Sequence, residues 1–310
     1  MNSVVLRTVV PILLLIGAGF SSRKFGLLQK GDQRVLSSYI FYFALPALLL
    51  VNMSEIPLDL QTFKFVLAVL LPHFIALALL LALFVIIKFS INTLYLLIVC
   101  SVFGSHSFFG LPFVMFAFDT KEAERLAVLS SSFIAISAVC MTITVLEMYK
   151  VKEPNFLKGI KKVLVKLSRN PLIIAIFSGV LLSALGITIP LPISRPLEML
   201  GKTAATVAIF QLGVSLYGRK YTKIKTAFQL SLIRMLLLPL IALGIISLFQ
   251  PGELEGTVMV LMHATPMAMA TIVLSERYQF YEDTILSLML ISSVGAAVYM
   301  NVWLYFLGYH

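Results

Sequence analysis

The sequence predicts an all-α polytopic membrane protein with ten transmembrane helices, and three observations support that prediction. Of its 310 residues, 60% are hydrophobic and only 12% are charged, whereas soluble domains average about 45–50% apolar and about 25% charged residues. The apolar residues form long runs that charged or Pro/Gly-rich segments separate. These runs lack the alternation of a transmembrane barrel, so they must be helical, because backbone groups in hydrocarbon need partners within their own segment.

Ten apolar runs are long enough to cross a hydrocarbon core of about 30 Å as helices. The first run lacks a basic N-terminal region beyond Arg7 and has no small-residue cleavage site in the expected place, so we expect a retained span rather than a signal peptide. We place the ten spans at residues 4–22, 35–53, 63–87, 91–118, 123–149, 171–189, 196–218, 224–249, 254–277 and 283–308.

The net charge of +10 would indicate nucleic acid in a soluble protein, but no basic segment interleaved with aromatic residues and no zinc-type spacing supports that partner. In membrane proteins, basic residues gather in cytoplasmic loops. Most of the 24 Lys and Arg residues follow the odd-numbered spans, namely Arg23, Lys24, Lys30, Arg34, Lys88, Lys150, Lys152, Lys158, Lys161, Lys162, Lys166, Arg169, Arg219, Lys220, Lys223, Lys225 and Arg277. The opposite loops are mainly acidic, with Glu55, Asp59, Asp119, Glu122, Glu124, Glu253 and Glu255.

This asymmetry predicts a multi-pass protein of the cytoplasmic (inner) membrane with both termini on the extracytoplasmic side. The two cysteines, Cys100 and Cys140, lie in apolar runs, which gives no sign of a disulfide or a thiolate metal site. We expect no metal and no cofactor. An enzyme is not expected either, because neither His-Glu-x-x-His nor Gly-x-Ser-x-Gly occurs.

The chain divides into two halves of five spans, residues 1–149 and 171–310, joined by a basic cytoplasmic linker at 150–170. Apolar residues alternate with lysines in that linker and predict an interfacial amphipathic helix; they are Phe156, Ile160, Val163, Leu164 and Leu167. Because five is odd, the halves must have opposite topology. Prolines recur at similar separations between the halves, in the pairs Pro11 and Pro171, Pro72 and Pro239, and Pro112 and Pro266. Inverted repeats of this kind are typical of secondary transporters.

Spans 4 and 9 each carry a proline within a cluster of small and polar residues, which predicts two broken helices. The clusters are Gly104, Ser105, His106, Ser107, Gly110 and Pro112 in span 4, and His263, Ala264, Thr265 and Pro266 in span 9. Each proline is expected early in a new half-helix. Two half-helix N-termini near the membrane midplane would suit a carboxylate without any charged side chain. The alternative is that both prolines merely kink packed helices.

Six side chains within or beyond these clusters are candidates for function or for packing. His106 and His263 flank the predicted breaks and could carry a coupling proton or bind a carboxylate, whereas His73 is expected to hydrogen-bond between helices. Arg234 lies deep in span 8, where a charge needs a partner; carbonyls, a carboxylate and the substrate are all possible partners. Phe109 adjoins the first break. Gln211 in span 7 is expected either to face the substrate or to pack.

Several segments in order resemble the auxin efflux carrier family, which includes PIN-type plant auxin exporters and bacterial permeases for malate or malonate. They are "VVPILLLIGAGFSSRKFGLLQKGDQRVLSSYIFYFALPALLLVNM", "NPLIIAIFSGVLLSALGITIPLPISRPLEMLGKTAATVAIFQLGVSLYG", "LIRMLLLPLI" and "ATPMAMATIVLSERYQFYED". Members often have Gly-Asn-Thr-Gly where this chain has Gly104-Ser105-His106-Ser107, which puts the usual substrate preference in question. The short linker favours a compact bacterial type.

The resemblance implies ten spans in a fold like that of sodium/proton antiporters and bile-acid symporters. In that fold, spans 1, 2, 6 and 7 form a scaffold, which can dimerise. Spans 3–5 and 8–10 form a transport domain, which moves in an elevator-type cycle, and the crossing broken spans 4 and 9 hold the substrate.

The leading hypothesis is therefore a secondary active or facilitative carrier of a small organic anion, a mono- or dicarboxylate, with a possible link to protons through His106 and His263. A sodium-coupled symporter of the bile-acid type is an alternative, although the two breaks contain no Asp, Glu, Asn or Gln. A membrane ligand sensor that does not transport is the other alternative.

Overall fold

The structure, a computed structural model, describes residues 3–56, 59–150, 168–169, 171–218 and 221–309, and over these ranges it is helical with no strand. The predicted amphipathic helix of the linker lies outside them. Twelve helices occur in these ranges: α1 (Ser3–Lys24), α2 (Asp32–Ser54), α3 (Leu60–Ile87), α4 (Ile91–Val102), α5 (His106–Phe118), α6 (Lys121–Lys150), α7 (Pro171–Ala184), α8 (Leu191–Leu216), α9 (Ile224–Phe249), α10 (Glu253–His263), α11 (Ala270–Tyr278) and α12 (Glu282–Phe306).

Helix length and composition agree with a polytopic membrane protein. Six helices in the described part of the chain are long and apolar enough to cross a bilayer, namely α2, α3, α6, α8, α9 and α12. The helices α4, α5 and α7 are apolar but shorter. Large apolar side chains are exposed on the outer faces of the long helices; Phe63 of α3, for example, is 65% exposed. Such faces suit contact with lipid rather than with water.

Two predicted helix ends differ from the observed ones because of local turn chemistry. Span 6 was expected to reach residue 189, but α7 ends at Ala184. Gly186 has φ +66°, and the Ile187 N–H donates to the Leu182 carbonyl at 2.9 Å, which is the Schellman arrangement that ends a helix. Span 7 was expected to begin at residue 196, but α8 begins at Leu191. Prolines are tolerated in a first turn, where their missing N–H has no intrahelical partner.

Two π-helical turns lie inside the helices, and the sequence analysis predicted neither. They span Ile40–Ala44 in α2 and His106–Gly110 in α5. Each is followed directly by a Leu-Pro pair, ending in Pro46 and Pro112 respectively. A proline ring clashes with the carbonyl four residues before it, and the wider π turn gives that carbonyl more room. The Leu-Pro pairs are therefore the signal that could have indicated these turns.

The helices pack as two groups. In the first group, α8 packs along α1 and α2, and α7 packs along α2. In the second, α9 packs against α3 and α12, while α6 packs against α3, α4, α5 and α10. The groups meet where α5 contacts α1 and α8, where α12 contacts α1, and where α6 contacts α2. The first group contains the helices predicted for the scaffold.

Glycines bring the backbones of α1 and α8 into direct contact. A Cβ atom on Gly19 would lie 2.0 Å from the Phe210 carbonyl oxygen, and one on Gly213 would lie 2.1 Å from the Ile16 carbonyl oxygen. Both obstacles are helix backbone, which cannot rotate away as a side chain can. Small residues at close crossings are a common basis of helix association in membranes. Any side chain at these two positions must therefore separate α1 from α8.

We predict that Gly19→Ala destabilises the protein by about 1–3 kcal/mol, the usual cost of overpacking. The matched control is Gly17→Ala in the same helix, because a Cβ there meets no atom within 4 Å. Replacing glycine by alanine in a helix is favourable by up to about 1 kcal/mol, so the control should unfold at the wild-type temperature or slightly above it. Thermal unfolding in detergent measures both. Equal unfolding temperatures for the two variants would contradict the close packing of α1 and α8.

Candidate functional site

Two interrupted helices meet at their interruptions. The first interruption, residues 103–105, separates α4 from α5, and the second, residues 264–269, separates α10 from α11. The two links run antiparallel, with a bridge between Gly104 and Met267. The Ser105 N–H donates to the Pro266 carbonyl at 2.8 Å, and the Phe103 carbonyl accepts from the Ala268 N–H at 3.0 Å. We call these two paired links the crossover.

The prolines occupy different positions relative to the crossover. Pro112 is the seventh residue of α5 and the second of its regular α-helical segment Leu111–Phe118, so the predicted position early in a helix holds for that segment but not for α5 as a whole. The same prediction is wrong for Pro266, which lies in the extended link four residues before α11 begins. There the missing N–H costs no helical hydrogen bond, and the carbonyl of Pro266 bonds to the other link.

Gly104 is the point of closest approach between the first link and its surroundings. A Cβ atom at Gly104 would lie 1.8 Å from Nη2 of Arg234, 2.5 Å from Oγ1 of Thr265 and 2.7 Å from Cε1 of His106. No L side chain fits without displacing at least one of these groups. The absence of a side chain at Gly104 therefore allows Arg234, Thr265 and His106 to converge.

Arg234 is fully buried, and its guanidinium group bonds to both halves of the crossover. Nε donates to the Thr265 carbonyl at 2.9 Å, and Nη2 donates to the Thr265 hydroxyl at 3.2 Å. Nη1 donates to the Ser101 carbonyl in the last turn of α4. Of the partners that the sequence left open, the structure shows backbone carbonyls and a hydroxyl.

Three buried histidines surround the crossover. Nδ1 of His106 lies 2.9 Å from the Met262 carbonyl and 3.1 Å from the Thr265 hydroxyl. The ring centroid of His73 lies 6.0 Å from that of His106 and 5.4 Å from that of His263. No group of three metal-ligating side chains with suitable geometry occurs in the residues that the structure describes.

Each of these rings reaches a carbonyl at or near the end of an interrupted helix. Nε2 of His73 lies 3.0 Å from the Val102 carbonyl, the last of α4, so His73 links two helices as expected. Nδ1 of His263 lies 2.8 Å from the Met259 carbonyl within its own helix. Nε2 of His106 is buried without a hydrogen-bond partner among the described atoms. His106 therefore has one ring nitrogen engaged at the crossover and one free to accept or donate.

The other predicted site residues differ in how they relate to the crossover. Gly110 lies directly against the crossover, since a Cβ there would lie 2.5 Å from Cγ2 of Thr265. Phe109 is buried in the apolar core, and Ser107 is partly exposed. Gln211 bonds elsewhere, because its Nε2 donates to the hydroxyls of Ser37 at 2.9 Å and Ser215 at 3.2 Å. These bonds match the packing alternative for Gln211.

Sequence reasoning missed Ser292, which supports the second link from α12. Its hydroxyl accepts a hydrogen bond from the Met267 N–H at 3.1 Å. A lone serine within an apolar span has no recognisable pattern, because such hydroxyls often bond to their own helix. The Ser101 carbonyl bonds to Arg234 and the Met262 carbonyl bonds to His106. Sequence patterns could not indicate these two partners, because every residue type has a carbonyl.

An all-helical chain with several membrane-spanning helices and a buried crossover of two interrupted helices has the architecture of a membrane transporter. The model of the family described as membrane transport protein matches residues 4–304. The chain therefore belongs to this family, the auxin efflux carrier and membrane transport family that its motifs resemble. An uncharacterized transporter of Methanocaldococcus jannaschii is 24% identical over 307 residues, which cover 95% of this chain and 96% of that protein. The family is one of transporters rather than of enzymes.

We predict that Gly104→Ala disrupts the crossover, because the added methyl group collides with the Arg234 guanidinium. The unfolding temperature should fall by several degrees, as expected for a loss of about 1–3 kcal/mol. The matched control is Gly244→Ala in α9, where a Cβ meets no atom within 4 Å; it should leave the unfolding temperature unchanged or slightly raised. A Gly104→Ala protein that unfolds at the wild-type temperature would show that Arg234 does not occupy this position.

Proposed function

We propose that the protein is a secondary active or facilitative transporter of a small organic anion of the mono- or dicarboxylate class. Membership of a transporter family supports the general activity. The observation that supports an anionic substrate is the distribution of helix ends at the crossover. The two links pair at Gly104 and Met267. The helices α5 and α11 begin within a few residues of these two positions, so their N-termini lie close to the crossover.

A helix N-terminus carries about half a positive charge and free N–H groups. Two of them offer about one positive charge, which suits one carboxylate. The opposing C-termini of α4 and α10 do not fully cancel this charge, since Arg234 bonds to a carbonyl at the end of α4 and to the Thr265 carbonyl just beyond α10. The proposed contacts are residues that the sequence predicted around the two breaks: Ser105, His106, Ser107, Phe109, Gly110, Pro112, His263, Ala264, Thr265 and Pro266. Gln211 is left out because its amide bonds to Ser37 and Ser215.

We further propose that the described helices form ten spans in two inverted repeats, with α4 and α5 as span 4 and α10 and α11 as span 9. The scaffold would be α1, α2, α7 and α8, and the other helices would be the transport domain of an elevator. The two packing groups of the helices support this division. We also propose that the protein lies in the inner membrane with both termini on the extracytoplasmic side. The scaffold is proposed to form a dimer, and His106 and His263 are proposed to link transport to protons.

Polar contacts between α2 and α6 are expected to break during such a cycle, because these helices belong to different groups. Nδ2 of Asn52 donates to Oε1 of Glu124 at 3.0 Å, and Arg125 lies 3.6 Å from Glu55. The second pair is solvent-exposed, and exposed pairs contribute only about 0–1 kcal/mol. Contacts this weak can hold one state of the carrier without preventing its movement.

We predict that a small carboxylate raises the unfolding temperature of the purified protein through mass action. A screen of mono- and dicarboxylates across pH, read by thermal unfolding, identifies the ligand. Counterflow of the labelled ligand in proteoliposomes then separates a carrier from a sensor, which should bind without exchange. The proposal fails if no carboxylate shifts the unfolding temperature.

Uptake of the carboxylate identified by this screen tests whether the two histidines carry a coupling proton. His106→Ala and His263→Ala should flatten the pH dependence of uptake if these rings carry the coupling proton. Gly244→Ala serves as the control and should keep the wild-type pH profile. Unchanged profiles in both histidine variants would exclude proton linkage through these rings and leave the anion site itself intact as a proposal.

We predict that a covalent link between α2 and α6 stops transport. Asn52→Cys/Glu124→Cys, in a background where Cys100 and Cys140 are serine, should lose uptake when mercuric ion bridges the thiols and regain it with dithiothreitol. The matched control is Gln61→Cys/Glu255→Cys, because those side chains form a hydrogen bond of 2.9 Å between α3 and α10, both in the proposed transport domain. Bridging the control should leave uptake intact. Full uptake by the bridged Asn52/Glu124 pair would exclude movement between these helices.

A further inference from the structure

We infer that Arg234 is a built-in monovalent cation of the crossover, in a position where a cation-coupled carrier would bind sodium. The inference rests on the proposed function, since coupling is defined only for a carrier. It predicts that the carrier does not use a sodium gradient, and that removing the guanidinium group creates a site for a free cation.

Arg234 faces backbone carbonyls that carry partial negative charge. Ser101 is the residue before the last of α4, and Thr265 follows the last residue of α10 by two positions. The Ser101 carbonyl is among those that a helix end leaves without an intrahelical partner, and the Thr265 carbonyl belongs to the unwound link just beyond α10. Each helix C-terminus carries about half a negative charge. The C-terminal end of α4 and the link carbonyl beyond α10 therefore both direct partial negative charge at the single positive charge of Arg234.

Among the described side chains, Arg234 has no acidic partner. All three hydrogen bonds of Arg234 end on neutral oxygen atoms, namely two carbonyls and one hydroxyl. The one ion pair among the described side chains joins Arg125 to Glu55 and does not include Arg234. A fully buried charge is normally paired or coordinated. At the crossover, the Ser101 and Thr265 carbonyls partner the guanidinium group in place of a carboxylate.

This arrangement of carbonyls suits a monovalent cation such as sodium. Unwound backbone carbonyls and half-helix C-terminal ends are the groups that coordinate sodium in carriers with broken helices. The guanidinium group of Arg234 already bonds to such groups on both sides of the crossover. Gly104 keeps the space open, since a Cβ there would lie 1.8 Å from Nη2. A sodium ion beside the guanidinium group would be repelled by a like charge in a buried, low-dielectric site.

Thermal unfolding of the purified full-length protein tests the inference without any transported substrate. The variants are wild type, Arg234→Ala, Arg234→Lys and the destabilised control Gly19→Ala. Each is measured in choline chloride and in sodium chloride at the same ionic strength of about 100 mM. A third measurement adds about 10 mM guanidinium chloride to the choline buffer, a concentration far below the molar range in which guanidinium unfolds proteins.

Wild type and Arg234→Lys should unfold at the same temperature in sodium and in choline. Arg234→Ala should unfold earlier and regain about 3 °C or more with guanidinium or sodium, as a newly bound ligand would produce. Gly19→Ala should unfold early and regain nothing. A sodium-specific rise in the wild type overturns the inference, and so does a gain in Arg234→Ala no larger than that in Gly19→Ala.

If Arg234→Ala yields no folded protein, the comparison passes to Arg234→Lys and Arg234→Met, which have similar length but differ in charge. The inference then expects folded protein from the lysine variant and a much lower yield from the methionine variant. Equal yields overturn it. Failure of the carboxylate screen would reject the proposed substrate class while leaving these cation measurements interpretable, so the two outcomes are distinguishable.

Discussion

The guanidinium group of Arg234 lies buried between a carbonyl at the end of α4 and a carbonyl of the link that follows α10. Unpaired carbonyls in such a place would be costly, so the crossover depends on this one charge. The arrangement in turn constrains its neighbours. Gly104 must lack a side chain, because Nη2 of Arg234 occupies the adjacent space. Thr265 contributes both its carbonyl and its hydroxyl to the same cation.

Neutralising the negative helix ends has a consequence for the positive ones. If all four helix ends were left uncompensated, their partial charges would largely cancel. With Arg234 bonded to the C-terminal side, the N-termini of α5 and α11 retain a positive potential. An anion could then be attracted without an acidic residue having to change its protonation state and without a mobile cation. His106 lies close to these N-termini as the first residue of α5, with Nδ1 bonded to the Met262 carbonyl and with no hydrogen-bond partner of Nε2 among the described atoms.

Contacts within the helix groups differ in kind from some of the contacts between them. Within the first group, Gly19 and Gly213 bring the backbones of α1 and α8 together so closely that no methyl group fits. Packing of this kind is rigid, because neither backbone can yield. Between α2 and α6, the polar contacts are the Asn52–Glu124 hydrogen bond and the Glu55–Arg125 ion pair. A carrier that moves one group against the other needs this combination of rigid bodies and weak connections.

By itself, the sequence determined the membrane class, the family and the location of both interruptions, since hydropathy and clusters of Gly, Ser and Pro are local properties. It also marked Arg234 as a buried charge that needs a partner. Only the tertiary structure decided which partner, because the two carbonyls come from residues 133 and 31 positions away and any residue type supplies a carbonyl. The position of Pro266 in the extended link depends on its pairing with Ser105, and the bonds of Gln211 depend on hydroxyls of α2 and α8. Such features arise when separate helices meet, and a pattern within one helix does not encode them.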